Sequence, residues 1–231
     1  MRLLIFSAEQ LSVYNGKRSE GRKRMVMSFF DPNKRKQNQA SRVSMALFRL
    51  SQALKRLSQQ QSDPHGLSPI QVQALFFIYH TREDMCSVGN FAKAIGTTHA
   101  TAVEIIRGLM AKQLVYKTNK PDDKRVSLLK LTDQGQTAVN NLEEWGSALE
   151  KTVGDVPDEM LQQFEIVLGA ILHSLRERGH LVVAEPCLGC VHFEPDKRAV
   201  QESDKRHFCK AIEKYLSHAE SLKECPEHTP T

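Results

Sequence analysis

The sequence predicts a mainly α-helical fold with a small β-hairpin, and three observations within residues 97–135 lead to it. Apolar side chains first recur at the spacing of one helix face, at Ala102, Ile105, Ile106 and Leu109. Two short apolar segments, 114–116 and 126–131, then flank a turn rich in Pro and Asp that ends in Lys and Arg. Thr132 can cap a following helix, because a hydroxyl accepts a bond from a free backbone N–H. This order of elements is that of a winged helix-turn-helix.

The second strand and its turn carry a more specific signature. The run DDKRVSLLKLTDQG places Asp-x-Arg at the turn, then Leu-x-Leu-Thr, then a Gly three residues on, at Asp123, Arg125, Leu129, Leu131, Thr132 and Gly135. This pattern resembles the wing of the MarR family of bacterial transcription regulators, and the resemblance covers roughly residues 39–179. It implies a homodimer, most often a repressor, that binds double-stranded DNA at a palindromic operator.

The helices before the wing follow from apolar spacing and from caps. Residues 39–60 carry an apolar side chain every three or four positions, which predicts a long helix suited to packing on another helix. Ser68 caps the next helix and Pro69 takes its first position, with core residues expected at Val72, Leu75, Phe76 and Tyr79. The helix-turn-helix proper begins at Ser87, and Gly96 provides its permissive turn.

Two further helices are predicted after the wing. One runs from Thr132 to about Thr152, and another begins at Pro157 and closes near Gly179. Their apolar positions include Leu142, Trp145, Leu168 and Leu172. One small winged domain cannot bury so much apolar surface, so these helices and the first one are predicted to be long dimerisation helices.

Candidate DNA-contacting residues lie on the second helix of the motif and on the wing. Hydroxyl, imidazole and guanidinium groups can contact base edges or phosphates, and wing cations can enter the minor groove. The expected contacts are Thr97, Thr98, His99, Thr101, Arg107, Lys120, Lys124 and Arg125. Glu104 stands where relatives commonly carry Arg or Lys. It would repel phosphate unless it accepts from a cytosine amino group or pairs with Arg107.

Residues 180–231 have a different composition, to which the family resemblance does not extend. This Cys-rich C-terminal module holds four of the five cysteines, Cys187, Cys190, Cys209 and Cys225. Cytosolic proteins seldom keep disulfides, so a Cys-x2-Cys pair with two more thiols is interpreted as a metal site. The fifth cysteine, Cys86, is interpreted as a small buried residue.

Two kinds of metal centre remain open for this module. Four thiolates suit a tetrahedral zinc ion or an iron–sulfur cluster. The closing Cys-Pro resembles the last ligand of ferredoxin-type motifs and favours a cluster, whereas Cys-x2-Cys pairs are at least as typical of zinc. His207 and His228 are alternative ligands in place of one Cys. The alternative to any metal site is a tail that carries four unligated thiols. A short helix is expected around Ile212, Tyr215 and Leu216, folded with energy that the metal supplies.

The N-terminal residues 1–38 form the first of three predicted regions, before 39–179 and 180–231. They carry nine Lys or Arg against three acidic residues. The positive formal net charge of the whole chain, +5, therefore comes from this region. This composition predicts a flexible basic arm, which could follow phosphates beside the winged helix. Alternatively, translation begins at Met25 or Met27 and the first stretch is not part of the protein.

Composition and motifs also exclude several classes of function. No apolar run approaches the length of a membrane span, so a cytoplasmic protein without membrane contact is expected. The chain shows no glycine-rich phosphate loop and no nucleophile elbow, so it is not predicted to be an enzyme. The prediction is a DNA-binding regulator whose metal centre senses redox or metal status. The alternatives are a regulator with structural zinc and a small-molecule effector, and a chromosome-binding factor that acts by protein contact.

Overall fold

The computed structural model describes residues 28–120, 126–142, 146–182, 184–197 and 204–230. Backbone contacts divide the chain into two units, Met1–Ser51 and Gln52–Thr231. Helices α1 to α5 span Pro32–Gln37, Gln39–Ser62, Pro69–His80, Val88–Ala94 and His99–Ala111. Strands β1 (Val115–Asn119) and β2 (Ser127–Leu131) precede helices α6 (Asp133–Asn140), α7 (Ser147–Gly154) and α8 (Asp158–Glu177). The C-terminal module contains β3 (Phe193–Glu194), β4 (Lys205–Cys209), β5 (Lys214–Ser217) and the short α9 (His218–Ser221).

The predicted N-terminal arm is interrupted by α1. Asp31 caps this helix by accepting a hydrogen bond from the backbone N–H of Asn33 at 2.9 Å, and Pro32 occupies the first turn. The last part of the predicted basic arm is therefore helical, and the flexibility of the arm stays a prediction. Residues 1–27, which include most of the basic run, lie outside the described part of the chain.

The predicted caps of the winged-helix domain are confirmed. Ser68 forms a reciprocal capping box with Gln71 at the start of α3. Ser87 caps α4, and Gly96 follows that helix with a φ of +66°. Thr98 caps α5 by accepting from the backbone N–H of Thr101.

The core of this domain lies where the helices meet the small hairpin. Its most enclosed apolar side chains are Val72, Leu75, Phe91, Ile106, Leu109 and Leu129. Each fully buried side chain of this kind stabilises the fold by roughly 1.5–3 kcal/mol. Tyr79, predicted to face the core, is 36% exposed. Its ring contacts the C-terminal module instead, because the ammonium of Lys223 lies 5.0 Å from the ring centroid.

The wing is an antiparallel hairpin in which Val115 pairs with Leu131 and Asn119 with Ser127. A backbone bond of 2.9 Å from Lys120 N–H to the carbonyl of Val126 extends the pairing toward the turn. The predicted wing contacts Lys124 and Arg125 belong to residues 121–125, which lie outside the described residues.

The helix predicted from Thr132 to Thr152 is two helices. The first, α6, ends at Asn140, and Gly146 precedes α7 with a φ of +93° that favours glycine. Leu142 is buried in the winged-helix core. Its assignment to the dimer surface was therefore wrong, and Trp145 lies outside the described residues. Within the part of the chain that the structure describes, no helix is long and apolar enough to cross a membrane.

The C-terminal module folds around a three-stranded antiparallel sheet in the order β3-β4-β5. The short helix predicted around Ile212–Leu216 was wrong, because these residues form the turn into β5 and β5 itself. Side chains alternate along this strand: Leu216 is fully buried, while Tyr215 packs on Phe208 of β4 with ring centroids 4.9 Å apart. Helical structure is confined to α9 among the described residues that follow.

Candidate nucleic-acid interface and four-cysteine pocket

Helix α5 presents the polar side chains that the sequence singled out. Thr98, His99, Thr101 and Arg107 are exposed, whereas Thr97 and Lys120 are half-buried. The hydroxyls of Thr98 and Thr101 lie 2.9 Å apart and share a hydrogen bond. The first turn of a helix thus carries two hydroxyls and an imidazole on its solvent side, next to backbone N–H groups that favour an anion.

Glu104 pairs with Arg107 on the same helix, at 2.7 Å between carboxylate and guanidinium. The side chains are 63% and 69% exposed respectively. Exposed helical ion pairs of this kind contribute only about 0.3–0.5 kcal/mol. The pair therefore neutralises Glu104 in the free protein while leaving Arg107 able to exchange its partner for a phosphate.

All four cysteines of the C-terminal module line one pocket. Cys187, Cys209 and Cys225 are buried and Cys190 is half-buried. The first pair sits on a tight turn in which Gly189 has a φ of +83°, a conformation that favours glycine. Among the described residues, none of the five cysteines forms a disulfide. The fold therefore brings together four thiols from three separate parts of the module.

The four thiols line the pocket without forming a ready metal-binding group. In the described residues, no three His, Cys, Asp or Glu side chains are arranged to hold a single metal ion. Burial raises the pKa of the Cys187 thiol to about 11; Arg82 opposes this shift, and the other three thiols of the pocket add to it. Burial also raises the pKa of the Cys225 thiol, and Arg82 opposes that shift as well. Positive charge supplied by a metal centre would favour the thiolate forms of these two cysteines.

Arg82 is the residue of this site that sequence reasoning missed. It lies between α3 and α4, is 2% exposed, and lines the pocket. Its Nε donates to the carboxylate of Asp84 at 2.6 Å, and its Nη1 donates to the sulfur of Cys187 at 3.6 Å. Burial opposes the charge, but Asp84 outweighs burial and raises the pKa of Arg82. No sequence signal marked this arginine as part of the pocket, because Cys187, whose sulfur it contacts, lies far away along the chain.

Comparison with known proteins identifies the domain that contains α5. Residues 65–126 match the model of the MarR family. The fold is similar to S. aureus MepR in a DNA complex, at 25% identity and a TM-score of 0.53, covering 57% of this chain and 97% of that one. The winged-helix domain is thus similar to members of the MarR family. MepR in its DNA-binding conformation gives the same picture, at 25% identity and a TM-score of 0.52 over 58% of this chain and 98% of that one.

A curated relative matches a shorter stretch. An uncharacterized HTH-type transcriptional regulator, YdgJ of Bacillus subtilis strain 168, is 29% identical over 76 residues. That match covers 33% of this chain and 45% of the relative. The family match itself, at residues 65–126, does not include the Cys-rich module.

The Cys-rich module docks on the winged-helix domain through backbone hydrogen bonds. The N–H of Arg82 donates to the carbonyl of Glu224, and the N–H of Glu224 donates to the carbonyl of His80, both at 2.9 Å. The residues just after Arg82 also contact the wing, because the N–H of Leu129 in β2 donates to the carbonyl of Cys86 at 2.7 Å. Residues 80–87, here called the docking segment, therefore lie between the Cys-rich module and the wing.

Cys86 belongs to the docking segment and not to the pocket. Its side chain is buried, and its sulfur lies 3.7 Å from the carbonyl oxygen of Ile78. Burial raises the pKa of this thiol to about 12, and the nearby Glu83 carboxylate adds to the shift while Lys223 opposes it. The predicted burial of Cys86 is confirmed, and its thiol stays neutral at physiological pH.

Proposed function

We propose that this protein is a MarR-family transcription regulator that binds a palindromic operator in double-stranded DNA as a homodimer, acting as a repressor. The observation that carries the proposal is the exposed, side-chain-capped α5 beside the β1–β2 wing in a MarR-family domain. The similarity to MepR, whose structure was determined with DNA, supports it. The recognition chemistry is that of a helix entering the major groove while the wing reaches the neighbouring backbone or minor groove.

Arg125 is expected to contribute the strongest single wing contact, because it follows the Pro-Asp-Asp turn of the hairpin. Arg125→Ala should weaken operator binding by about 1–3 kcal/mol if the guanidinium contacts a base or enters the minor groove. The measurement is a fluorescence anisotropy titration of labelled operator at several salt concentrations. A loss confined to the salt dependence would instead indicate a phosphate contact.

Lys151→Ala is the matched control, because Lys151 is an exposed cation on α7, outside the helix-turn-helix and the wing. It should bind the operator as the unaltered protein does. Equal affinities for the unaltered protein, Arg125→Ala and Lys151→Ala would remove the wing from the interface.

The homodimer follows from the surface of α8. This helix has no buried residue among the described residues, although Phe164 and Val167 are 50% and 56% exposed and Leu172 is 40% exposed. Burying apolar surface contributes about 25 cal/mol per Å², and monomers rarely leave a long apolar stripe exposed. A second copy of the chain offers the same stripe around a two-fold axis.

Val167→Asp should therefore shift the protein from dimer to monomer, because it places a charge in the apolar stripe of α8. Gln162→Asp, at an exposed polar position on the opposite side of the helix, should leave the dimer intact. Sedimentation at micromolar concentration should give twice the chain mass of 26.2 kDa for the unaltered protein and for Gln162→Asp. A monomeric unaltered protein that still binds its operator would contradict the dimer.

The four-cysteine pocket supports a metal centre in the C-terminal module. The thiols come from three parts of the module, and the centre would join them into one folded unit. A zinc ion needs thiolates about 2.3 Å from one point. A cluster places its own metal–sulfide core between its thiolates, and the closing Cys-Pro of the module supports a cluster over a single ion. Arg82 would offset the negative charge of the thiolates in either case.

Protein purified without oxygen should show the broad visible absorption of an iron–sulfur cluster together with bound iron. Colourless protein that contains zinc would select the structural ion. Cys209→Ser should lose the metal, whereas Cys86→Ser, which alters the buried thiol outside the pocket, should keep it. Full metal content in Cys209→Ser would place the centre elsewhere.

Redox or metal sensing requires that the state of the centre reach the DNA-binding elements. The docking segment connects the pocket to the helix-turn-helix. Arg82 near its start contacts Cys187 in the pocket, and Ser87 at its end caps α4. Operator affinity measured under oxidant and under reductant tests this role. Identical affinities in both states would make the centre a structural brace and leave the regulator to respond to a small-molecule effector.

A further inference from the structure

His228 is enclosed in the wall of the four-cysteine pocket. Its side chain is 2% exposed, and it lines the pocket together with the cysteines and Arg82. Among the described residues, neither Nδ1 nor Nε2 of the ring has a hydrogen-bond partner. A buried polar group without a partner destabilises the folded state. A ring without hydrogen-bond partners in the wall of a pocket lined by thiols indicates a ligand.

The surroundings of the ring match those of a metal-bound histidine. The Glu185 carboxylate lies 3.5 Å from Nδ1 of His228. A ligating histidine commonly orients its other nitrogen toward a carboxylate, which fixes the ring and increases its basicity. Backbone bonds hold Glu185 beside Cys225, with the N–H of Cys225 donating to the Glu185 carbonyl at 2.9 Å. Nε2 is therefore the nitrogen available to a metal.

The other histidines near the sheet do not share these properties. Nδ1 of His207 accepts from the backbone N–H of Asp196 at 3.2 Å, and its Nε2 lies 3.3 Å from a ring nitrogen of His218. His192 lines the pocket but is half-buried, so water can reach its ring. Of the two histidines named as alternative ligands from the sequence, the structure distinguishes His228 from His207.

We infer that His228 ligates the metal centre through Nε2 and shares one ligand position with Cys190, the most exposed thiol of the pocket. The inference rests on the proposed metal centre. The site would then have five donor side chains for four ligand positions. Cys187, Cys209 and Cys225, which are buried, would occupy three of these positions permanently. Exchanging a thiolate for a neutral imidazole lowers the negative charge of the ligand set and, in a cluster, raises the reduction potential.

The test uses the full chain, stripped of metal and titrated with Co²⁺ alone without oxygen. Thiolate-to-cobalt charge-transfer absorption reports the number of sulfur ligands. Cys190→Ser should still bind Co²⁺ with a three-thiolate spectrum. The double variant Cys190→Ser/His228→Ala should bind roughly 100-fold more weakly, and Glu185→Gln in the Cys190→Ser background about 10-fold more weakly. Cys190→Ser/His192→Ala is the matched control and should behave as Cys190→Ser alone.

The outcomes separate this inference from the metal centre itself. If the double variant with His228→Ala binds as tightly as Cys190→Ser, with the same spectrum, His228 is not a ligand and the centre stands on its cysteines. If the unaltered chain binds no Co²⁺ and also holds no iron when purified without oxygen, the centre fails and the inference with it. If the chain holds iron but binds no Co²⁺, the iron content and visible spectrum of the same variants decide in place of the cobalt titration. Should the His228→Ala variant not fold, Glu185→Gln decides, because an unchanged affinity in that variant would also overturn the ligand role.

Discussion

Gly135→Ala is expected to destabilise the winged-helix domain by about 3 kcal/mol or more, the upper range for overpacking a core. Gly135 lies in the first turn of α6, and a Cβ atom there would stand 2.0 Å from the carbonyl oxygen of Leu114. That oxygen is backbone and already accepts from the N–H of Thr132 at 3.1 Å. Neither side can yield without separating α6 from the start of β1. Thermal unfolding followed by circular dichroism measures the loss.

Gly154→Ala is the control for this substitution. Gly154 also lies in a helix, α7, but its Cβ would meet nothing within 4 Å among the described residues. Alanine has the higher helix propensity, so this change should leave stability equal or raise it by up to about 1 kcal/mol. Equal melting temperatures for the two variants would contradict the close approach of α6 to Leu114.

Arg82→Gln is expected to cost about 3–5 kcal/mol, the range for removing one partner of a buried ion pair. The substitution leaves the carboxylate of Asp84, whose side chain is 13% exposed, with the more distant ammonium of Lys214 at 3.8 Å. It also removes the donor to the sulfur of Cys187. The variant should therefore unfold at lower denaturant and hold the proposed metal centre less tightly.

Lys214→Gln is the comparison for the same carboxylate. Lys214 is 41% exposed, and exposed ion pairs contribute about 0–1 kcal/mol. Urea unfolding of both variants, with metal content measured beside it, should show a large effect for Arg82 and a small one for Lys214. Similar small effects would mean that Arg82 neither supports the docking segment nor the pocket.

Local rules predicted the winged-helix domain well. Caps such as Ser68, Ser87 and Thr132 act within three residues of themselves, and the structure confirms all three. The 3.6-residue period placed Val72 and Ile106 in the core for the same reason. Gly135 could be matched to a family pattern, but only coordinates show the carbonyl oxygen that excludes a side chain.

The errors arose where distant contacts override local preference. Tyr79 fits the helical period of the core, yet a lysine 144 residues away in sequence covers its ring and donates to its carbonyl at 2.5 Å. The segment at Tyr215 and Leu216 was assigned to a helix, although pairing with β4 makes it a strand. The cysteine spacing predicted that the four thiols share a site, and it could not show that Arg82 and His228 enclose the same pocket.

The hydrogen bonds of the docking segment protect three backbone amides from exchange with solvent. The N–H groups of Arg82 and Glu224 are bonded across the boundary between the winged-helix domain and the Cys-rich module, and the N–H of Leu129 is bonded to the carbonyl of Cys86. The first two amides become accessible when the module alone opens, whereas the third requires the wing to separate as well. Deuterium uptake at Arg82 and Glu224 relative to Leu129 is thus a measure of how often the module detaches, obtained without DNA and without altering any residue.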